Sequence, residues 1–209
     1  KDTLLTDPQV DFRKPDSGVW DKVGETVEEN AVVEKLVTLR EAAREGSVPV
    51  VYSPHEYTDD EFESWEKLNT IDQIMFDTRM FDADGEGSDF VPELAPDDNT
   101  FVLSQHKQLS GFWSNDVQAQ LRQRGIDTLV LAGMSANLCV ESHLRDAVEN
   151  GFEVVAVTDA TDAAGHDALE AAHTNFGFIA SKMPTTRRRL TDWATQVLRP
   201  GASQTPADP

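Results

Sequence analysis

The sequence has one cysteine, Cys139, in 209 residues. A single thiol excludes an internal disulfide and any multi-cysteine metal cluster. It leaves a small buried hydrophobe or a reactive thiolate. Lysine is scarce too: only 7 of the 18 basic residues are Lys, against 38 acidic residues and a net charge of −20. Such a surface repels nucleic acid and anionic membranes, so neither is an expected partner. The acids are dispersed rather than gathered in a tail, which points to a protein adapted to high salt, with an ordinary acidic bacterial protein as the alternative. No stretch approaches the roughly 20 apolar residues of a membrane span. There is no G-x-G-x-x-G, P-loop or G-x-S-x-G motif. No secretory signal opens the chain, so a cytoplasmic location is expected. The numbering starts at Lys1 without Met, close before an apolar run, so a few residues are expected to be missing in front.

What is present is an alternation of apolar β-type runs with helical periods. Strands are expected at Thr3–Thr6, Val48–Tyr52, Thr100–Ser104, Thr128–Ala132, Glu153–Thr158 and Phe178–Ala180. Helices are expected at Val27–Arg44 (ended by Gly46), Asp116–Arg124, Cys139–Glu149, Asp167–Asn175 and Arg189–Leu198. This order predicts an α/β fold: one doubly wound, Rossmann-like domain over residues 1–199, with a six-stranded parallel sheet and helices on both faces. The tail 200–209 is rich in Pro and Ala and is expected to be disordered. Residues 54–99 break the rhythm: acidic, with three of the ten prolines and no clear period, they are expected to cross the active-site face.

In open parallel sheets ligands bind beyond the carboxyl ends of the strands. The polar residues just past each strand are Asp7, Ser53 with His55, His106 with Lys107, Cys139 after the turn 133–138, and Asp159. Cys139 also opens a helix, whose unpaired amides favour a thiolate. A nearby Lys would lower the thiol pKa, a carboxylate could move the proton, and the preceding turn could aim amides at an oxyanion. Cys, Lys and Asp suffice for nucleophilic attack on a small amide. His143, one helical turn after Cys139, could instead form a Cys–His dyad with it, or simply pack.

Two segments make the sequence recognisable. Asp7-Pro8-Gln9-Val10-Asp11-Phe12 resembles the D-x-Q-x-D-F opening of the isochorismatase-like cysteine hydrolases. Residues 126–142, ending Ser135-Ala136-Asn137-Leu138-Cys139-Val140-Glu141-Ser142, resemble that family's nucleophile strand and turn, and Arg145-Asp146-Ala147, Gly151 and Val157-Thr158-Asp159-Ala160 continue the match. The resemblance covers roughly Leu4 to Ala180. It implies an Asp–Lys–Cys triad with Asp7 as base and Cys139 as nucleophile, and a cis peptide at Met134–Ser135. Ser135 and Leu138, together with Gln9, Phe12 and His55, are expected to bind substrate or its oxyanion, with a purely structural role as the equal alternative for His55. The family lysine commonly stands six residues before the Phe of an S-[AG]-F motif. Ser110-Gly111-Phe112 fits that motif, but six before Phe112 is His106. Either the loop is repacked so that Lys107 serves, or the position is truly altered and His106 occupies it; Lys107, the only lysine between Lys67 and Lys182, is favoured.

Ser53-Pro54-His55 stands where metal-dependent nicotinamidases of the same broad family carry D-x-H. Ser in place of Asp argues against a metal, so no metal and no cofactor are expected. Asp82-Ala83-Asp84-Gly85-Glu86-Gly87 resembles a calcium loop but fits an acidic, solvated loop better. The expected activity is a hydrolase cleaving a C–N bond of a small amide or ureide through a Cys139 thioester. The alternatives are vinyl-ether hydrolysis of the isochorismatase type, or a non-catalytic binding or assembly domain of the same fold. The expected partners are a small-molecule substrate and further copies of the chain, as a homo-oligomer.

Overall fold

A computed structural model of the chain describes residues 2–12 and 26–186. Among the described residues five strands form the sheet: β1 (Asp2–Thr6), β2 (Val50–Ser53), β3 (Thr100–Val102), β4 (Thr128–Met134) and β5 (Glu153–Asp162). They are all parallel, in the order β3-β2-β1-β4-β5. The helices are α1 (Val32–Glu45), α2 (Asp59–Ser64), α3 (Thr70–Asp77), α4 (Gly111–Ser114), α5 (Val117–Gln123), α6 (Glu141–Glu149) and α7 (His166–Ile179).

The apolar runs read as doubly buried strands because alternate side chains point to opposite faces. Leu5, Val50, Tyr52, Val130, Ala132, Val155 and Val157 share one core with Val32, Leu36 and Leu39 of α1 and with the segment between β2 and β3. Val51, Leu129, Leu131, Val154 and Ala156 share the other with α5, α6 and α7. Helices therefore cover both faces. Gly133 lets β1 and β4 pack side by side: at φ +124°, a Cβ there would lie 2.1 Å from the Thr6 carbonyl oxygen.

The sixth strand is a correction. Residues 178 and 179 belong to α7, which runs on to Ile179, and Phe178 points into solvent. A three-residue apolar run cannot be told from a helix end by periodicity. The chain reaches the sheet edge a few residues later: Ser181 donates to Val154 O, Ala156 to Lys182 O and Thr158 to Pro184 O. Only a single parallel bridge, Val155 to Lys182, forms there. The expected helix 27–44 is also broken, because Ala31 is left-handed (φ 50°) and α1 starts after it. The left-handed residue at the end of α1 is Ser47, not Gly46. The expected helix Arg189–Leu198 and tail 200–209 lie outside the described residues.

Residues 54–99 contain more order than their sequence announces. Thr58 and Glu61 form a capping box for α2, and the Asn69 side chain caps α3. Among the described residues no helix is long and apolar enough to cross a membrane.

Candidate active site

The order 3-2-1-4-5 reverses between β1 and β4, and the crevice at such a switch point is where open α/β sheets bind ligands. Asp7 leaves β1 there, with a left-handed φ of 48°. Cys139 enters from β4 through a π-turn, Ala136–Val140, that runs into α6. The peptide between Met134 and Ser135 is cis. Asp7, His55 and Cys139 are all buried, and their potential ligand atoms lie within 4.8 Å of one another.

Lys107 is not part of this group. Its Nζ donates to the Glu56 carbonyl and to Glu61 Oε2, both at 2.6 Å, and lies 5.4 Å from the Tyr57 ring centroid. His106 takes the place beside Asp7, with Nε2 2.7 Å from Asp7 Oδ1 and both side chains fully buried. Backbone register explains the choice. Pairing of β2 with β3 continues past the strand ends, with a His55–His106 bridge and His106 N–H donating to Pro54 O. Neighbours on an extended strand point to opposite sides, so His106 facing inward sends Lys107 outward.

Burial, and then the negative charge of Asp7, push the Cys139 thiol well above its ordinary value, while the backbone amides of Ser135 and Cys139 pull it down. The resting group is therefore a thiol, contrary to the thiolate expected at a helix start. Burial and the neighbouring His106 hold His55 well below the usual imidazole range. Its ring stacks on Phe81 at 4.5 Å, and among the described residues neither ring nitrogen has a hydrogen-bond partner. Asp7 Oδ2 is likewise buried and unpartnered.

His143 does not form a dyad with the thiol. Its Nε2 accepts from Gly111 N–H at 3.0 Å, so the proton sits on Nδ1, which donates to the Cys139 carbonyl at 2.8 Å. Burial lowers its pKa to about 4. It is a neutral strut between α4 and the turn that carries Cys139.

The other anticipated residues divide by what their polar atoms do. Gln9 spends its amide on backbone: Nε2 donates to His55 O and Ser88 O, and Oε1 accepts from His55 N–H, each at 2.7 Å. It positions His55 rather than facing a ligand. The Leu138 amide donates to Ser135 O at 3.1 Å and is spent as well. The side chains of Leu138 and Phe12 line a cavity of about 80 Å³ that opens onto Cys139 and Ser135. Ile71, Ile74, Met75, Met80 and Phe81, from the 54–99 segment, form its apolar wall. Asp159 lies elsewhere, binding the Thr186 backbone and hydroxyl at 2.7 and 2.6 Å. In the acidic loop, Arg79 bridges Asp59 and Asp82.

This geometry coincides with a family match. The model of the isochorismatase domain matches residues 3–185. The chain belongs to the isochorismatase family of hydrolases. It is 37% identical to an uncharacterised isochorismatase family protein, YwoC of Bacillus subtilis, over 84 residues, 40% of this chain and 44% of that protein. It is 29% identical to the ureidoacrylate amidohydrolase RutB of Methylorubrum extorquens over 165 residues, 71% of this chain and 66% of that one. The chain thus spans less than two thirds of the length of both curated relatives. The fold is similar to that of a cysteine hydrolase from Pseudomonas syringae pv. phaseolicola, with a TM-score of 0.76 and 20% identity, covering 95% of this chain and 93% of that chain.

Against this family's expected Asp–Lys–Cys pattern, the residue missed as Asp7's partner is His106. The signal was in the sequence: it stands six residues before Phe112. The unpartnered ring of His55 carried no signal, because nothing in a sequence says which hydrogen bonds are missing.

Proposed function

We propose that this isochorismatase-family hydrolase cleaves a C–N bond of a small amide or ureide through a thioester on Cys139. The observation that carries this reading is Cys139, which lines an apolar cavity, with the buried Asp7 close to it at the sheet's switch point. The similarity to an amidohydrolase supports it.

Cys139 Sγ attacks the substrate carbonyl while Asp7 accepts the thiol proton, so no resting thiolate is required. His106 holds Asp7 through Oδ1, which leaves Oδ2 free for the proton. The turn that carries Ser135 and Cys139 can aim backbone amides at the oxygen of a carbonyl bonded to the sulfur. Asp7 then returns the proton to the leaving nitrogen, the C–N bond breaks, and an acyl thioester remains. Water, deprotonated by Asp7, attacks the thioester; the acid leaves and the thiol regains its proton. His106 replaces the ammonium of the expected triad with an imidazole in this scheme.

The test is amine or ammonia release across a panel of small amides and ureides, with mass spectrometry for an acyl adduct on Cys139. Cys139→Ala should abolish both signals. Turnover that survives this substitution would refute the thioester route and favour vinyl-ether chemistry. Silence across the panel, with no adduct, would favour a binding domain.

A further inference from the structure

Three potential ligand atoms converge around Cys139, and the hydrolytic scheme leaves one of them unexplained. His55 is fully buried, yet both of its ring nitrogens lack a partner. A buried polar group left unpaired is destabilising, so an orphaned imidazole asks for a ligand. Its neighbours are the equally orphaned Asp7 Oδ2 and the Cys139 sulfur, and the potential ligand atoms of the three residues lie within 4.8 Å. Ligands around a tetrahedral zinc lie about 3.5 Å apart, given metal–ligand distances of about 2.0–2.3 Å, so modest side-chain movements would close the set.

We infer that Asp7, His55 and Cys139 form a binding site for a zinc-class divalent cation that replaces the thiol proton and switches the nucleophile off. The donor set is one carboxylate, one imidazole and one thiolate, which suits Zn²⁺ and leaves a fourth position open. It also answers the argument drawn from Ser53. The carboxylate absent from strand β2 is supplied by Asp7 at the end of the adjacent β1, whose Thr6 pairs with Ser53. The supporting contacts are in place: His106 fixes Asp7 from behind, and Gln9 clamps the His55 peptide on both sides. Binding exchanges one S–H bond for one S–metal bond, and the proton leaves to solvent. The metal withdraws electron density from the bound sulfur and fixes it within the ligand shell, away from an incoming carbonyl, so the cation inhibits hydrolysis.

The site is independent of which substrate is cleaved, and the test reads the metal itself. One equivalent of Co²⁺ added to metal-free protein should give tetrahedral visible bands and a near-ultraviolet sulfur-to-cobalt charge-transfer band. Zn²⁺ should displace both, release about one proton per site in weak buffer, and protect Cys139 from iodoacetamide until EDTA is added. Cys139→Ser should lose the charge-transfer band, and His55→Ala should weaken Co²⁺ binding at least about tenfold. Only a pale octahedral spectrum from wild-type protein, or alkylation unchanged by Zn²⁺, would overturn the proposal, whatever the variants do. An enzyme silent on every amide that still shows the charge-transfer band would leave this site standing and remove only the proposed reaction.

Discussion

Nε2 of His106 lies 2.7 Å from Oδ1 of Asp7, while the adjacent Lys107 turns away to Glu61. One position along the chain therefore separates a group that holds Asp7 from one that holds a surface segment. His106→Ala leaves both Asp7 oxygens unpartnered and is expected to lower turnover by about 10²-fold or more. Lys107→Ala removes a partly exposed ion pair, so it should cost about 1 kcal/mol of stability and leave turnover within a few-fold. Steady-state kinetics with urea melts for both variants decide the ranking. A larger kinetic loss for Lys107→Ala would return the lysine to the mechanism.

Asp7 acts on the thiol in two opposing ways. In the proposed reaction it accepts the proton, but its charge raises the thiol pKa at rest. Wild-type Cys139 should therefore alkylate slowly at neutral pH, with a rate that climbs above the ordinary thiol range of about 8.5. Asp7→Asn removes the charge and keeps the burial, so the pKa falls and alkylation at pH 7 accelerates while turnover is lost. Rates of iodoacetamide labelling against pH, in the absence of metal, measure this. Equal or slower labelling of the Asn variant would contradict the electrostatic account.

His143 gives the fold an acid-sensitive strut. Its folded pKa of about 4 lies below the unfolded value of about 6.5, so the unfolded chain binds the extra proton first. The neutral ring's contribution is complete above about pH 6.5 and is lost as pH falls towards 4. The shift corresponds to about 3 kcal/mol over that window. His55, also held low by burial, adds in the same direction. In urea unfolding at a series of pH values, His143→Gln should flatten the acid limb by about that amount. An unchanged limb would show that the ring is not buried neutral.

The α/β order and the meeting of Asp7 with Cys139 were legible because both depend on local signals: apolar runs, and polar residues placed just past them. Lys107 was misplaced because side-chain direction beyond β3 is set by pairing with β2, which a linear reading does not show. The expected strand at 178–180 failed because Phe176 holds the end of α7 in the core while Phe178, two residues on, faces water. The apolar wall was illegible for a different reason. Its members between Ile71 and Phe81 occupy a segment whose composition is acidic, and it is the capped helix α3, with the turn that follows it, that brings these few large side chains to the cavity beside Cys139.

That wall should set which substrates fit. The described lining is dominated by Phe12, Ile71, Ile74, Met75, Met80, Phe81, Leu109 and Leu138, around about 80 Å³. Such a space takes a short apolar group next to the scissile carbonyl, and each methylene it buries contributes about 0.8 kcal/mol, or about fourfold in kcat/KM. Ile74 is only half-buried on α3, so its truncation should widen the cavity at less cost to the fold than Met75, which is in the core. Ile74→Ala is expected to shift the preferred acyl chain longer by one or two carbons, raising kcat/KM for those amides about four- to tenfold relative to the shortest. Parallel kcat/KM profiles for wild type and variant over a homologous series of aliphatic amides test this. Two profiles with the same optimum would mean that the acyl group binds elsewhere, and that this cavity does not receive the substrate.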